Sequence, residues 1–177
     1  MKLHIGCGKK YLPGYKHLDV IPYAHVDFEC DARRLDIFAD ETIAEIYACH
    51  IVEHVERGEV VGVLREWGRV LKSGGVIRIA VQDFEAVVQA YIAGEPLTSF
   101  HGLLYGGQTY DYNFHHVAFD FHLLKTLLED AGFTEIERYD WRDFLPSDYD
   151  DYSRAYLPHM DFDDGRLMSL NIMARKP

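Results

Sequence analysis

The chain has 177 residues, of which 48% are apolar and 27% are charged. This length fits one domain with a sizeable core and is short for a catalytic domain plus an independent accessory module. No apolar run approaches the roughly 20 residues that span a bilayer, and no secretory signal is visible at the N-terminus. We therefore expect a water-soluble, cytoplasmic protein with no membrane partner.

The net charge and the spacing of the cysteines argue against further classes of protein. Asp and Glu number 29 against 18 Lys and Arg, so the net charge is −11 and a nucleic-acid backbone would be repelled over most of the surface. Cys7, Cys30 and Cys49 form no C-x-x-C pair, which argues against a disulfide framework and a thiolate zinc site. We predict no nucleic-acid partner and reduced cysteines, and the sequence leaves homo-oligomerisation open.

The N-terminal part of the chain predicts four short strands. The first two, Lys2 to Ile5 and Tyr15 to Ile21, are very close together in sequence. Parallel strands usually need a dozen or more residues between them, so we expect a single helical turn or a loop at this crossover. Ala24 to Phe28 and Ile43 to Cys49 are the third and fourth predicted strands.

From residue 56 onward, helices and strands alternate. Apolar residues at helical spacing predict a helix from Glu56 to Leu71, and Val76 to Val81 is a β-branched run typical of a strand. The further predicted elements are helices at Asp83 to Ala93 and Asp120 to Ala131 and strands at Glu135 to Tyr139 and Leu167 to Ala174. This alternation predicts an α/β fold, a mainly parallel seven-stranded sheet with helices on both faces.

Two segments interrupt the alternation. Gly94 to Phe119 is rich in glycine, tyrosine and histidine, and irregular segments of this length usually have a function. We expect it to form a mobile lid over the site, with Gly102, Gly106 and Gly107 giving the backbone freedom to close. Asp143 to Gly165 is acidic and rich in tyrosine, and we expect a partly ordered excursion between the last two strands.

The turn Gly6-Cys7-Gly8 and the nearby Asp19 indicate a nucleoside ligand. Glycines after the first strand let the backbone approach a ligand at the carboxyl end of the sheet, the usual crevice of open α/β folds. A turn that binds pyrophosphate would prefer a third glycine where this chain has Tyr11. Asp19 ends the second strand, where it can accept hydrogen bonds from both hydroxyls of a ribose. The pattern therefore favours a nucleoside without a pyrophosphate.

Five motifs follow one another in a fixed order along the chain. They are Leu3-His4-Ile5-Gly6-Cys7-Gly8, Leu18-Asp19, Asp31-Ala32, Ile46 to His54, and Arg69-Val70-Leu71-Lys72-Ser73-Gly74-Gly75. As a set they resemble the motifs of class I methyltransferases that depend on S-adenosylmethionine (SAM). With Pro13-Gly14 and Gly106-Gly107, the chain is similar in particular to short methyltransferases associated with cell-surface polysaccharide synthesis.

The resemblance implies a Rossmann-like, doubly wound fold that makes residues 1–177 a single SAM-binding domain, with a lid insertion at about residues 94–119. It also implies which residues surround the cofactor SAM. They are Gly6, Cys7 and Gly8 at its amino-acid part, Asp19 at its ribose, Asp31 and Ala32 at its adenine, and His50 at the methyl-transfer crevice. The implied activity is methyl transfer to a small-molecule or saccharide acceptor.

Four side chains are candidates for a catalytic role, namely His54, His50, His115 and Asp83. If the acceptor is a hydroxyl it needs a proton acceptor, and histidine, with an ordinary pKa near about 6.5, is the apt group. Asp83 follows the fifth strand, where it would lie beside the crevice or cap the next helix. His115 and its neighbour His116 would line the site or lie in a solvated loop.

The run His50-Ile51-Val52-Glu53-His54 also matches the H-x-x-E-H zinc motif of the inverted zinc metallopeptidases. That chemistry needs the run on a helix, whereas here it follows a predicted strand directly, so we expect no bound metal. Two alternatives to a methyltransferase stay open at this point. One is a zinc hydrolase that uses His50, Glu53 and His54, and the other is a non-catalytic SAM-binding module.

Overall fold

The computed structural model describes all 177 residues, with seven strands in one sheet and two in a small hairpin. The sheet contains β1 (Lys2–Ile5), β2 (Lys16–Asp19), β3 (Phe28–Glu29), β4 (Ile43–Cys49), β5 (Leu71–Gln82), β6 (Thr134–Arg138) and β9 (Ser169–Arg175). The hairpin pairs β7 (Tyr156–Leu157) with β8 (Arg166–Leu167). The α-helices are α1 (Val60–Val70), α2 (Phe84–Ile92), α3 (His101–Tyr105) and α4 (Phe121–Asp130).

The strands lie in the order β3-β2-β1-β4-β5-β9-β6 across the sheet. Neighbours from β3 to β5 are parallel, and β9 runs antiparallel to both β5 and β6. The chain starts in the middle of the sheet, moves to one edge and returns past β1 to β4. The predicted mainly parallel, seven-stranded, doubly wound sheet is confirmed. Its parallel strands end at one edge, and ligands of such sheets bind there.

The predicted elements are present with shifted ends. β2 and β3 are shorter than the predicted strands at Tyr15 to Ile21 and Ala24 to Phe28. α1 starts at Val60 and not at Glu56, since residues 57–59 form a turn, and a separate 3-10 turn lies at Val52–His54. Residues 6–15 contain no helix, so the first crossover is a loop, one of the two forms that the short spacing predicts. None of the helices is both long enough and apolar enough to cross a membrane.

One face of the sheet packs against α1 and α4. The alternate side chains that enter this core include Leu3, Ile5, Ile46, Ala48, Ile77 and Ile79. Trp67 of α1 is fully buried among them, and its indole Nε1 donates a hydrogen bond to the Ala32 carbonyl oxygen at 2.7 Å. A buried aromatic ring whose single donor is satisfied is strongly stabilising. This contact therefore fixes the loop after β3 to the core.

The opposite face is covered mainly by the segment that follows β6. Trp141, Leu145 and Tyr149 of this segment pack with Tyr47 of β4 in a second buried cluster. The guanidinium carbon of Arg154 lies 4.6 Å from the Trp141 ring centre, and its Nη1 donates to the Tyr149 carbonyl oxygen at 2.8 Å. The acidic segment, predicted as a partly ordered excursion, therefore forms a packed layer in which the helical structure consists of 3-10 turns.

Candidate functional site

A cavity of about 950 Å³ opens where β1, β2 and β4 end. The turns after these strands form its floor, and the lid segment 94–119 and the segment after β6 form its walls. The lining includes every residue expected around the cofactor, namely Gly6, Cys7, Gly8, Asp19, Asp31, Ala32 and His50. The catalytic candidates His54 and His115 also line it. Four of the five sequence motifs therefore meet at one place in the fold, and the fifth, Arg69 to Gly75, does not border the cavity.

The two glycines of the first turn have different surroundings. Gly6 has φ +63°, and a Cβ there would lie 1.9 Å from Cδ1 of Ile51, so only glycine lets the turns after β1 and β4 pack this closely. Gly8 has φ +53°, and nothing lies within 4 Å of the place where its Cβ would be. Its backbone therefore faces open space in the cavity. This is a cradle that a side chain would fill, and it fits an elongated ligand such as SAM.

Asp19 joins two of the turns that border the cavity. The residue is 8% exposed, and its carboxylate accepts hydrogen bonds from the backbone N–H groups of Gly8 at 2.7 Å and Ile21 at 2.9 Å. Each carboxylate oxygen has further acceptor capacity beyond the bond it already makes. Asp19 can therefore hold the Gly6–Gly8 turn in place and still accept from a ligand hydroxyl.

The predicted adenine side of the cavity is built from Asp31 and Ala32. The Arg33 guanidinium donates to the Asp31 carboxylate at 2.6 Å and holds the pKa of that carboxyl below its ordinary value. Asp31 is thus already engaged by a neighbouring side chain. The Ala32 carbonyl oxygen accepts a hydrogen bond from the Trp67 indole, so the main chain of Ala32 is the more firmly held part of this wall.

Cys7 lies in the first turn with its thiol inside the protein. Sγ is 3.6 Å from Nε2 of His25. Burial, with a smaller effect of the Asp19 charge, raises the pKa of the Cys7 thiol to about 12. A thiol with so high a pKa is not a nucleophile near neutral pH. Cys7 therefore fills space at the floor of the cavity.

His50 and Glu53 form a buried pair at the end of β4. Glu53 is fully buried, and its Oε1 lies 2.7 Å from Nδ1 of His50. Burial lowers the pKa of His50, but the Glu53 charge and hydrogen bonding outweigh this effect and the pKa ends above its ordinary value. Burial likewise raises the pKa of Glu53, and the opposite charge of His50 brings it below the ordinary value. The pair is therefore an electrostatic unit at the cavity wall.

The other two histidine candidates, His54 and His115, contact backbone carbonyl oxygens of the lid. Nδ1 of His54 is 3.0 Å from the Phe114 carbonyl oxygen, and Nδ1 of His115 is 2.8 Å from the Leu103 carbonyl oxygen. Their ring centres are 4.7 Å apart in an edge-to-face contact. Burial lowers the pKa of His115. In both rings Nδ1 is placed to donate to a backbone carbonyl, and neither ring is in contact with a carboxylate.

The lid is more regular than the sequence predicts. It contains a 3-10 turn at Leu97–Phe100 and the short helix α3, and the Phe100 side chain is fully buried. A Cβ on Gly106 would lie 2.5 Å from the Asn113 carbonyl oxygen, and one on Gly107 would lie 2.6 Å from Nδ2 of Asn113. This glycine pair therefore permits close packing inside the lid, which is a different role from the backbone freedom expected from the sequence.

Asp83 lies outside the cavity lining. Its carboxylate caps α2 by accepting from the backbone N–H groups of Glu85 at 3.0 Å and Ala86 at 3.4 Å. The second carboxylate oxygen pairs with the Arg138 guanidinium at 3.2 Å. Of the two roles considered for Asp83, the structure provides contacts for the cap. We therefore leave it out of the proposed chemistry.

The cavity lining also contains residues that were not anticipated from the sequence, among them Tyr149, Asp151 and Tyr152 from the segment after β6. Asp151 is held by the Tyr47 hydroxyl, which donates to its Oδ2 at 2.6 Å, and by the backbone N–H of Ser153 at 3.0 Å. The spacing of four residues from Trp141 to Leu145 to Tyr149 is the one sequence signal that could have predicted a packed layer here.

The histidines of the H-x-x-E-H run are turned toward different partners. His50 is the first residue after β4 and contacts Glu53, whereas His54 ends the 3-10 turn and contacts the lid backbone. No group of three or more His, Cys, Asp or Glu side chains in the chain has an arrangement that could hold a metal ion. A zinc-binding helix needs both histidines on one face, one turn apart. The run lacks that geometry.

Residues 15–79 match the sequence model of a family described as a methyltransferase domain. The matched range runs from just before β2 into β5, so it includes Asp19, Asp31 and the turn after β4. Among curated proteins, none matches the sequence significantly.

Solved methyltransferase structures share the fold at low sequence identity. A SAM-dependent methyltransferase from Archaeoglobus fulgidus has TM-score 0.59 and 17% identity, with 99% of this chain and 85% of that chain covered. The 1,6-didemethyltoxoflavin-N1-methyltransferase of Burkholderia thailandensis, in a structure with 1,6-didemethyltoxoflavin and S-adenosylhomocysteine bound, has TM-score 0.59 and 16% identity, with 99% and 70% covered. A chain from the complex between the Haloferax volcanii Trm112 methyltransferase activator and a methyltransferase has TM-score 0.58 and 14% identity, with 99% and 82% covered.

The family match over part of the chain indicates a methyltransferase domain, and the solved structures show that the chain shares the methyltransferase fold.

Proposed function

We propose that this protein transfers the methyl group of SAM to a small-molecule or saccharide acceptor that binds beneath the lid. The observation that carries the proposal is the convergence of the predicted cofactor residues on one cavity of about 950 Å³ at the carboxyl edge of the sheet. That volume is near the upper end of typical ligand pockets, so a cofactor and a small acceptor can share it. When bound, SAM supplies a methyl group on a positively charged sulfur that is a good leaving group.

The floor of the cavity would hold the cofactor. The open backbone at Gly8 accepts the amino-acid part, the Asp19 carboxylate accepts hydrogen bonds from the ribose hydroxyls, and the main chain at Ala32 borders the adenine. Asp19 and the nearby Asp151 are both in the lining, so their charges favour a cationic ligand over an anionic one.

The lid would align the acceptor and exclude water. Alignment of two reactants accounts for several kcal/mol of a displacement barrier, about 7 kcal/mol or more in the best intramolecular cases. Tyr110 and Tyr112 of the lid line the cavity and are about half exposed. Their flat apolar faces and hydroxyl groups suit a polar ring such as a sugar. The resemblance to methyltransferases of cell-surface polysaccharide synthesis independently favours a saccharide acceptor.

The test is incubation of the protein with SAM labelled in its methyl group and fractionated cell extract, followed by location of the label. We expect one class of small molecule or saccharide to take up label, and we expect lower uptake with the Asp19→Ala variant when SAM is limiting. Label found only in macromolecular protein or nucleic acid would contradict the proposed acceptor class. No transfer to any fraction, although SAM binds, would contradict the proposed activity.

A further inference from the structure

We propose that the acceptor is a sugar that carries no phosphate or carboxylate group, and that Tyr110 and Tyr152 hold its ring from two walls of the cavity. This inference rests on the proposed function and specifies the class of acceptor and the residues that select it. Tyr110 belongs to the lid and Tyr152 to the segment after β6.

Tyr110 and Tyr152 bring aromatic rings to the cavity from two different segments. Both residues border the cavity, and they are 50% and 69% exposed. Burial raises the pKa of the Tyr110 hydroxyl above its ordinary value, with smaller effects of Tyr23, Asp19 and Tyr152, so these groups lie near one another. A tyrosine ring combines flat apolar faces with a hydroxyl tip that forms hydrogen bonds. The apolar C–H face of a sugar ring can stack on such a surface.

The turn that carries Tyr152 is firmly held to the sheet. Tyr152–Arg154 form a 3-10 turn in which Ser153 is fully buried. Nδ2 of Asn171 in β9 donates to the Ser153 carbonyl oxygen at 2.8 Å. The Tyr152 ring centre lies 5.6 Å from that of His50 at the end of β4. A tyrosine on a fixed turn loses little conformational entropy when a ligand packs on it, which suits Tyr152 to binding.

Asp151 provides a hydrogen-bond acceptor beside this ring. Its Oδ1 accepts from the Ser153 backbone N–H at 3.0 Å and hydroxyl at 2.5 Å, and its Oδ2 accepts from the Tyr47 hydroxyl at 2.6 Å. Oδ2 has acceptor capacity beyond this one bond. The residue is partly exposed and borders the cavity. An ionised carboxylate only accepts, so its ligand partner must be a donor, and a sugar is rich in hydroxyl donors.

The lysine and arginine side chains of the lining lie on the cofactor side. They are Lys9, Lys10 and Arg33, in the turns after β1 and β3. Two of them already have partners, since the Arg33 guanidinium donates to Asp31 at 2.6 Å and Nζ of Lys10 lies 3.6 Å from Oδ2 of Asp150. These cations therefore do not serve an acceptor that binds beneath the lid.

The acceptor side of the cavity has no lysine or arginine. The lid, residues 94–119, contains neither, and the two arginines of the segment after β6 do not border the cavity. Asp111 and Asp151 make this side negative, and His50 has Glu53 as its counter-charge. A phosphate or carboxylate would lose hydration there without gaining an ion pair, which is unfavourable. The charges thus select against anionic acceptors, including phosphorylated and nucleotide-linked sugars.

The first test measures the charge of the labelled product. Product formed from methyl-labelled SAM and the acceptor fraction is passed over an anion exchanger at mildly alkaline pH, and we expect it to pass unretained. Acid hydrolysis should then place the label on a monosaccharide. Mild base should release no labelled methanol, since a methyl ester would hide a carboxylate.

Retention on the anion exchanger, release of labelled methanol, or label on a compound that is not a sugar would each overturn this inference and leave the methyl-transfer activity intact. Absence of any transfer by the wild-type protein would instead contradict the proposed function.

The second test separates acceptor binding from cofactor binding. We expect Tyr152→Ala to raise the apparent KM for the acceptor fraction at least about tenfold, with kcat and the SAM dissociation constant within about threefold, because a contact made equally before and during transfer is lost. Tyr152→Phe keeps the ring and should stay within about threefold of the wild-type KM. Tyr110→Ala should give the same rise in KM, which keeps the proposal testable if one variant does not fold.

The control is Tyr91→Ala, which removes an equally exposed tyrosine on α2 that does not border the cavity. It should leave KM, kcat and SAM binding unchanged. A wild-type KM in both Tyr152→Ala and Tyr110→Ala would overturn the inference, as would a loss of SAM affinity large enough to explain the fall in transfer.

Discussion

The Asp19 carboxylate accepts hydrogen bonds from two backbone N–H groups, and we propose that it also accepts them from the ribose hydroxyls of SAM. We expect Asp19→Ala to weaken the binding of SAM and of its demethylated product by about 1.5 to 3 kcal/mol, because a charged acceptor for two hydroxyls is lost. Asp19→Asn is the matched control, since its amide oxygen can still accept from Gly8. We expect Asp19→Asn to lose less SAM affinity than Asp19→Ala. Calorimetry that finds wild-type affinity in both variants would remove Asp19 from the site.

Gly8 and Gly14 provide a pair of matched substitutions. Both have positive φ, +53° and +83°, and both have nothing within 4 Å of the Cβ position, but only Gly8 borders the cavity. We expect alanine at either position to destabilise the fold by a similar amount, about 1 to 2 kcal/mol, because both backbones are left-handed. Only Gly8→Ala should weaken SAM binding. Equal effects of the two variants on binding would show that the cradle at Gly8 is not used.

At the residue scale the sequence predicts much of the cavity lining, because Gly6 and His50 directly follow β1 and β4, Gly8 lies in the turn after β1, and Asp19 is the last residue of β2. Glu53 was noticed only within the zinc motif. Its pairing with His50 depends on the left-handed backbone at His50 and on the short 3-10 turn, and neither is visible in residue spacing.

The turn Val52–His54 is the element on which the zinc interpretation depends. His50 and His54 lie on either side of it with separate contacts, so we predict that it binds no metal. Elemental analysis of protein purified without added metal should find well below one zinc per chain. A chelator should leave SAM binding unchanged. One tightly held zinc per chain would contradict our assignment of these histidines and favour the hydrolase.

The lid is expected to select the acceptor and to contribute little to SAM affinity. His115→Ala combined with His116→Ala removes the ring contact with His54 and the bond from His115 to Leu103, so the lid should align the acceptor poorly. We expect transfer to fall at least about tenfold, a barrier change of about 1.4 kcal/mol, with SAM affinity within about threefold.

The control for the lid variant is His101→Ala, an exposed residue on α3 that does not border the cavity. It should change neither transfer nor SAM affinity. If SAM affinity collapses in the double variant, the lid belongs to the cofactor pocket. If neither quantity changes, the lid does not act through these histidines.

Elements whose apolar residues recur at a regular spacing could be predicted from the sequence, and irregular elements could not. The apolar spacing of Val60, Leu64 and Trp67 predicts α1, although the predicted start at Glu56 is too early, since residues 57–59 form a turn. The lid and the layer after β6 are held by single contacts between residues far apart in sequence, such as Tyr47 with Asp151. No local pattern encodes such contacts.

The type of the whole sheet was predictable from the sequence, but the order of its strands was not predicted. Seven predicted strands that alternate with helices predict a mainly parallel seven-stranded sheet. The loop crossover between β1 and β2 is also predictable from its length. The layer that Trp141, Leu145 and Tyr149 form was not predicted, because their four-residue spacing is its one signal in the sequence and the layer is irregular where α-helices were expected.

The central claim is that the molecule turns SAM over and does not merely bind it. With the acceptor fraction that takes up label, the measurement is the number of S-adenosylhomocysteine molecules formed per chain, set against the label transferred. We predict many molecules per chain, in equal number to the methyl groups found on the acceptor. SAM that binds at one site per chain and is never consumed, whatever acceptor fraction is offered, would contradict the enzyme and leave a SAM-binding module.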